Sequence, residues 1–258
     1  MTPKISERQR RLPLEGAVNF RDLGGYPVVG GRQTRWGCLF RSDSLAALTD
    51  RDLDHVSAIG LHHLVDFRLP HERTAHPNRL PSGASLRISE IGFWPAGNSE
   101  MLEEIRNLRI DAAGIEQATT AHYRHYPVDH CTEYRKVLEA VEQAAGRPVL
   151  IHCVSGKDRT GFGAAVILMA LGAPKSVIVE DYLLTNAYRR DIGHLMPSGT
   201  PASVAQMLTA ARPAYIEAAL ETMVATFGSF NGYLERGLGF DARRLQIFRE
   251  RLTEPTPE

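Results

Sequence analysis

The sequence predicts an α/β fold, a single domain whose largely parallel central sheet is flanked by helices. Three stretches carry that expectation. Pro148-Val149-Leu150-Ile151 is a short, unbroken apolar run, the pattern of a parallel strand covered on both faces. Gly161 to Leu171 is apolar on every side, which suits a helix buried at the centre of a fold. His63-Leu64-Val65-Asp66-Phe67-Arg68 reads as a second core strand that ends in charge, and open parallel sheets gather ligands at that carboxyl edge.

With 258 residues the chain suits one large domain or two small ones. Hydrophobic residues at 43% and charged residues at 23% place it among ordinary globular proteins rather than disordered or fibrous ones. A formal net charge of zero provides no global field for nucleic acid or anionic membrane, so neither is expected as a partner. No apolar run approaches the roughly 20 residues of a membrane helix, so no integral membrane segment is expected. Met1 to Arg11 is polar and basic, without the apolar core of a signal peptide. Cys38, Cys131 and Cys153 do not make a disulfide framework, and a reactive thiol prefers a reducing compartment. The expected location is the cytoplasm, although export without a cleaved signal would leave no trace. No pattern in the sequence sets an oligomeric state.

Taken in order, residues 1–13 carry Lys4, Arg8, Arg10 and Arg11 and read as a flexible arm ahead of a domain over 14–252. In Asn19-Phe20-Arg21-Asp22-Leu23-Gly24-Gly25-Tyr26 the glycine pair marks a turn, and the mixed Arg and Asp suggest a paired network. Tyr26 to Val29 and Gln33 to Trp36 flank Gly30-Gly31 as a hairpin, and Cys38 to Ser42 is a further strand. Leu48 to Gly60 is helical, with Thr49 as N-cap, Asp50 and Asp52 in the first turn and Gly60 as its stop. Pro70 to Pro81 is rich in His, Pro and Asn and reads as a loop; its His71, Glu72 and His76 fit no compact metal site. Leu86 to Ile91 is a strand. Met101 to Tyr126 reads as one or two amphipathic helices with Gly114 as the break, and Tyr134 to Ala145 as another helix. Pro174 opens the helix that leads to Asp181-Tyr182-Leu183-Leu184-Thr185-Asn186. From 189 to 213 prolines break up apolar pieces, and the one-sided face of Ala202 to Ala211 suits either core packing or a helical lid. Residues 253–258 read as a tail.

The chemistry concentrates in His152-Cys153-Val154-Ser155-Gly156-Lys157-Asp158-Arg159-Thr160-Gly161. A strand, a glycine-containing loop and a helix N-terminus make an anion site, because the loop amides converge and the dipole adds about half a positive charge. Lys157 and Arg159 place two cations in a first helical turn, against that dipole, and a bound dianion would resolve the conflict. The Arg159 fork would grip two of its oxygens, with Lys157 as a point charge at the rim. Val154, Ser155, Gly156 and Asp158 complete the phosphate-binding set. The same field favours thiolate over thiol at Cys153, which makes it an in-line nucleophile beneath a phosphoryl group. The bland alternative is a buried cysteine beside a helix cap.

The string HC-x-x-GKDRTG resembles the bacterial tyrosine phosphatase B branch of the cysteine-dependent protein tyrosine phosphatases. The strings NFRDLGG at Asn19 to Gly25, FRSD at Phe40 to Asp43 and DY-x-x-[ST]-N at Asp181 to Asn186 agree with it. The resemblance runs from about Leu14 to Leu252 and is weakest over 92–125 and 190–213. It implies phosphomonoester hydrolysis through a phosphocysteine on Cys153, with transition-state charge on Arg159 and the loop amides and no metal or organic cofactor. The implied substrates are phosphotyrosine proteins or small phosphomonoesters, phosphoinositides included, with phosphate or another oxyanion held in the loop. His152 would orient the loop, the Thr160 hydroxyl would donate to the cysteine sulfur, and 189–213 would hold a mobile lid. Phe93-Trp94-Pro95 is similar to the Trp-Pro-Asp loop of larger tyrosine phosphatases, yet Ala96 stands where the acid would be. The general acid is then sought among Asp66, Asp111, Asp129 and Asp158. Asp158, as in this branch, comes first and Asp66 second. The alternative function, a phosphate-binding pseudophosphatase or phosphopeptide-recognition module, would need Cys153 or Arg159 to be missing, and both are present.

Overall fold

In a computed structural model, the protein is described over residues 9–82, 85–190 and 198–257. Its strands are β1 (Arg21–Asp22), β2 (Pro27–Val28), β3 (Arg32–Thr34), β4 (Leu39–Ser42), β5 (His63–Asp66), β6 (Arg87–Glu90), β7 (Val149–His152) and β8 (Thr253–Pro255). The main sheet runs β1-β4-β7-β5-β6 and is parallel except for the edge strand β1. A small antiparallel sheet, β2-β3-β8, stands beside it. Strand β7 is central, with Val149 paired to Leu39 on one side and to His63 on the other. All its residues are buried, which is why its apolar run has no polar alternation. The side chains still alternate between two cores. Leu39, Val65, Val149 and Ile151 enter one, and Phe40, Leu64 and Leu150 the other.

The helices are α1 (Asp50–Ile59), α2 (Pro70–Ala75), α3 (Asn98–Arg106), α4 (Ala112–Asp129), α5 (Cys131–Ala144), α6 (Arg159–Leu171), α7 (Lys175–Leu183), α8 (Ala202–Thr209), α9 (Pro213–Phe227), α10 (Phe230–Gly232) and α11 (Ala242–Leu252). Helix α1 seals the smaller core with Val56, together with Leu14 and Phe20. Helices α5 and α6 fill the larger one, and α6 is buried at every residue from Thr160 to Leu171, as its all-round apolarity requires. The α1 cap forms as expected: Thr49 Oγ1 accepts from the Asp52 amide at 3.2 Å and Asp52 Oδ2 from the Thr49 amide at 3.0 Å. Helix α8 rests on α3 and α4 through a small cluster of its own, Met101, Ile105, Ile115 and Val204.

The structure departs from the sequence expectations in four places. Pro70 to Pro81 is not all loop. Pro70 opens α2, and the Glu72 carboxylate caps it by accepting from the Leu69 amide at 2.7 Å. Gly114 is not the break between α3 and α4. The break falls at 107–111, where Leu108 has φ +53°, and Asp111 then caps α4 by accepting from the Gly114 amide at 2.8 Å. Residues 253–255 of the expected tail form β8, and Thr253 Oγ1 accepts from Arg32 Nε at 2.8 Å. Of the expected arm, residues 1–8 lie outside the described residues, but Arg10 stacks 3.7 Å from the Tyr26 ring and Arg11 bridges to Arg21. Of the lid candidate at 189–213, residues 191–197 lie outside the described residues. Among the described residues no helix is long and apolar enough to cross a membrane.

Candidate active site

The carboxyl ends of β4, β5 and β7 meet at one loop, with Cys153 at its base and only 2% exposed. The loop carbonyls are held from outside. Val154 O accepts from the Ser44 amide at 2.9 Å, Ser155 O and Gly156 O from Asn19 Nδ2 at 3.3 Å, and Gly156 O from Arg41 Nη2 at 2.6 Å. In a trans peptide the carbonyl and the following amide point in opposite directions. The N–H groups of Ser155 and Gly156 are therefore turned toward the loop centre, where the N-terminus of α6 adds its dipole, while the Lys157 amide donates to Ser155 Oγ at 3.3 Å. Gly156 has φ +66°, and a Cβ there would stand 2.5 Å from Ser42 O, so only glycine fits.

A buried polar scaffold carries that loop. Asp181 pairs with Arg21 at 3.0 Å and with Arg41 at 2.5 Å, and accepts from the Tyr26 hydroxyl at 3.0 Å. Burial would raise its pKa, but the two guanidiniums outweigh it and hold Asp181 well below the usual carboxylate range. Burial, then the nearby Arg41 charge, pushes Arg21 down to about 10. The strings at 19–25, 40–43 and 181–186 are thus parts of one network. The partner of Arg21 is Asp181 rather than Asp22, which instead accepts from the Gly24 and Gly37 amides at 2.7 Å. Asn186 completes the scaffold by clamping Ala211 through both amide and carbonyl, at 2.9 and 2.7 Å.

Arg159 reaches across the loop to α2. Nη1 donates to Phe67 O at 2.9 Å and to Glu72 Oε2 at 2.8 Å, while Nη2 donates to Glu72 Oε1 at 3.0 Å. Burial opposes its charge, yet Glu72 and then Cys153 raise the Arg159 pKa above its ordinary value. These bonds use one edge of the guanidinium and leave Nε–H and one Nη2–H for an anion. Glu72 was not anticipated from sequence; a proline followed two residues later by glutamate, just past a strand, is the signal that marks it. The same helix holds the His71 ring 6.4 Å from the ring of Trp94.

Three expected roles need correction. The Lys157 ammonium does not lie free at the rim: it donates to Leu208 O at 2.5 Å and Ala210 O at 3.3 Å, tying the loop to the end of α8. Asp66 does not face the loop as an acid. It is fully buried, paired with Arg68 at 2.8 Å and 3.4 Å from His152 Nε2. Burial pushes its pKa up, but the bonds to His152 and Arg68 win and hold it far below the usual range, so it has no proton to give near neutrality. The Thr160 hydroxyl is buried without a hydrogen-bond partner among the described residues, so its expected bond to sulfur is not formed.

Asp158, by contrast, sits just ahead of α6 without a side-chain capping bond, its side chain 33% exposed. Its Oδ1 accepts from the Tyr123 hydroxyl at 2.9 Å, a contact with no signal in the sequence. His152 Nδ1 lies 3.2 Å from Cys153 O. Asp111 is a helix cap and Asp129 pairs with His125 at 2.8 Å, so neither joins the loop. All three cysteines are free. Cys38 precedes the Leu39–Val149 pair in register, which puts it roughly 16 Å from Cys153 along the sheet, beyond disulfide reach. Among the described residues no group of three His, Cys, Asp or Glu is arranged to hold a metal.

A buried cysteine at the end of the middle strand, an amide cradle and a clamped arginine are the arrangement of a cysteine-dependent protein-tyrosine phosphatase. The chain belongs to the tyrosine phosphatase family, whose pattern it matches over residues 12–254. It is 30% identical to a tyrosine-protein phosphatase of Cupriavidus necator over 91% of this chain and 86% of that one. It is also 30% identical to the triple specificity protein phosphatase PtpB of Mycobacterium tuberculosis, over 87% of this chain and 92% of the relative. Among solved structures, TpbA of P. aeruginosa overlaps 76% of this chain and 89% of its own at 16% identity and a TM-score of 0.36.

Proposed function

We propose that the enzyme hydrolyses phosphotyrosine in proteins, with Cys153 attacking phosphorus. The P–S bond forms as the bond to the leaving tyrosyl oxygen breaks, and Asp158 gives that oxygen its proton. Water then attacks the phosphocysteine, returns a proton to Asp158, and releases phosphate and thiolate. The developing charge falls on the amides of Ser155 and Gly156 and on Arg159 Nε–H and Nη2–H. The observation that carries this reading is the loop itself, whose carbonyls are fastened outward by Ser44, Asn19 and Arg41 above a buried thiol. His152, held by Asp66, supports the loop rather than reacting. Helix α8, on its separate cluster and tethered by Lys157, is the cover of the site. A reactive thiol of this kind belongs in the reducing cytoplasm.

A second reading, activity on phosphoserine, phosphothreonine or phosphoinositides as well, is favoured by the likeness to a relative named for triple specificity. A turnover panel of phosphotyrosine, phosphoserine and phosphothreonine peptides with phosphoinositides, and vanadate as inhibitor, separates the two. Turnover of the tyrosine peptide alone supports the first, comparable rates on all support the second, and none on any phosphomonoester overturns both. Cys153→Ser is expected to abolish turnover while keeping phosphate affinity within a few-fold in calorimetry, since serine preserves the cradle and lacks the nucleophile. Substantial turnover by this variant would sink the mechanism.

A further inference from the structure

Among the described residues the carboxyl group of Asp158 is held on one side only. Its Oδ1 accepts from the Tyr123 hydroxyl at 2.9 Å and lies 3.5 Å from the Lys157 ammonium. The Tyr123 oxygen is in turn 2.8 Å from the Tyr182 hydroxyl. A phenol has a single proton, so if Tyr123 donates to the carboxylate, Tyr182 must be the donor to Tyr123. The result is a chain of hydroxyls, Tyr182 to Tyr123 to Asp158 Oδ1, running inward from the loop mouth. Both tyrosines are 1% exposed. Burial, then the Asp158 charge, pushes the Tyr123 phenol well above its ordinary pKa, so it stays protonated and remains the donor.

We propose that Tyr123 is the positioning residue of the general acid: by occupying Oδ1 it fixes the Asp158 rotamer and leaves Oδ2 as the oxygen that carries the proton. The inference rests on the reading of Asp158 as acid. In the first step the Oδ2 proton passes to the leaving oxygen as the P–O bond breaks and the P–S bond forms, leaving a carboxylate. In the second, water gives its proton back to Oδ2 as it attacks phosphorus and the thiolate departs. Throughout, Tyr123 transfers nothing. Its hydroxyl only turns Oδ2 toward the reacting oxygen, and a carboxyl free to rotate would spend less time in reach. Tyr182 holds the Tyr123 hydroxyl in line and has no contact of its own with Asp158 in this chain of bonds.

The test is a double-mutant cycle read on two substrates, phenyl phosphate with a poor leaving group and p-nitrophenyl phosphate with a good one. Asp158→Asn is expected to lower kcat on phenyl phosphate about 100-fold more than on p-nitrophenyl phosphate. Tyr123→Phe, which removes one oxygen and keeps the ring, should show the same selectivity at about tenfold, and none beyond that of the single variant when added to Asp158→Asn. If Asp158→Asn leaves the ratio of the two substrates unchanged, the reading of the acid fails. If Asp158→Asn collapses the ratio but Tyr123→Phe slows both substrates alike, or still slows phenyl phosphate selectively in the Asp158→Asn background, the positioning role is overturned. Should Tyr123→Phe not fold, Tyr182→Phe carries the same test: a selective loss of about two- to threefold that vanishes in the Asp158→Asn background supports the role, and an unselective or persistent one overturns it.

Discussion

Arg159 shows how one side chain is held by a carboxylate along one edge and keeps the other edge open. Glu72 takes the Nη1 and Nη2 edge, so the guanidinium is aimed before any phosphate arrives and little rotamer entropy is left to lose. Glu72→Gln keeps the volume and one acceptor but loses the charge. It is expected to lower kcat/KM about 10- to 100-fold, measured on p-nitrophenyl phosphate, with near-normal thermal stability. A change within twofold would make the clamp incidental. Cys153 and Arg159 could be proposed from the sequence because a nucleophile, a cradle and a fork must be contiguous for such a loop to work. Glu72 and Tyr123 were not, since they meet Arg159 and Asp158 across 87 and 35 residues of chain. Neither distance leaves a spacing to read. Lys157 was misread for the same reason: its partners, the carbonyls of Leu208 and Ala210, are backbone atoms that any residue type supplies.

At the scale of elements, β7 and α6 were plain because each is apolar in a way only one burial allows. Helix α2 was hidden by a loop-like composition, although its proline and glutamate sit where an N-terminus wants them. Helix α8 was ambiguous, and the structure explains the ambiguity. Its one-sided apolar face does pack, with Val204 buried, but against a satellite cluster rather than the main core. Lys157 ties its end to the loop, and Asn186 and Arg189 tie it to the region after α7. Lys157→Met is therefore expected to raise hydrogen exchange at the amides of 208–211 about tenfold while leaving α6 protected. Unchanged exchange there would mean that the satellite cluster and the Asn186 clamp hold this end without Lys157. The expectation of a helix break at Gly114 failed because glycine was read as a stop, whereas Asp111 and the φ +53° residue Leu108 make the actual boundary.

Across the whole molecule, buried charge couples stability to pH. Asp66, Glu72 and Asp181 all titrate lower in the folded protein than in the unfolded chain, where such groups lie near 4. On acidification the unfolded state therefore takes up their protons first. Their stabilisation is fully present above about pH 4.5 and drains away as pH falls through the folded values. His63 and His122, held below the ordinary histidine value chiefly by burial, act in the same direction from about pH 6.5 downward. Asp43, raised by burial, opposes them and is outnumbered. The melting temperature is expected to slip below pH 6.5 and fall steeply below 4.5 in a calorimetric series, and a rise across that range would contradict the assignment. The pairing of His71 with Trp94 has an optical consequence. The chain has two tryptophans, and Trp36 neighbours the Arg10 guanidinium instead, at 5.1 Å. Trp94 sits against His71, the neighbour of Glu72, so its fluorescence is expected to report the state of the arginine clamp without any added dye. Orthovanadate titration should shift the emission of the native chain and of Trp36→Phe, and the signal should vanish in Trp94→Phe.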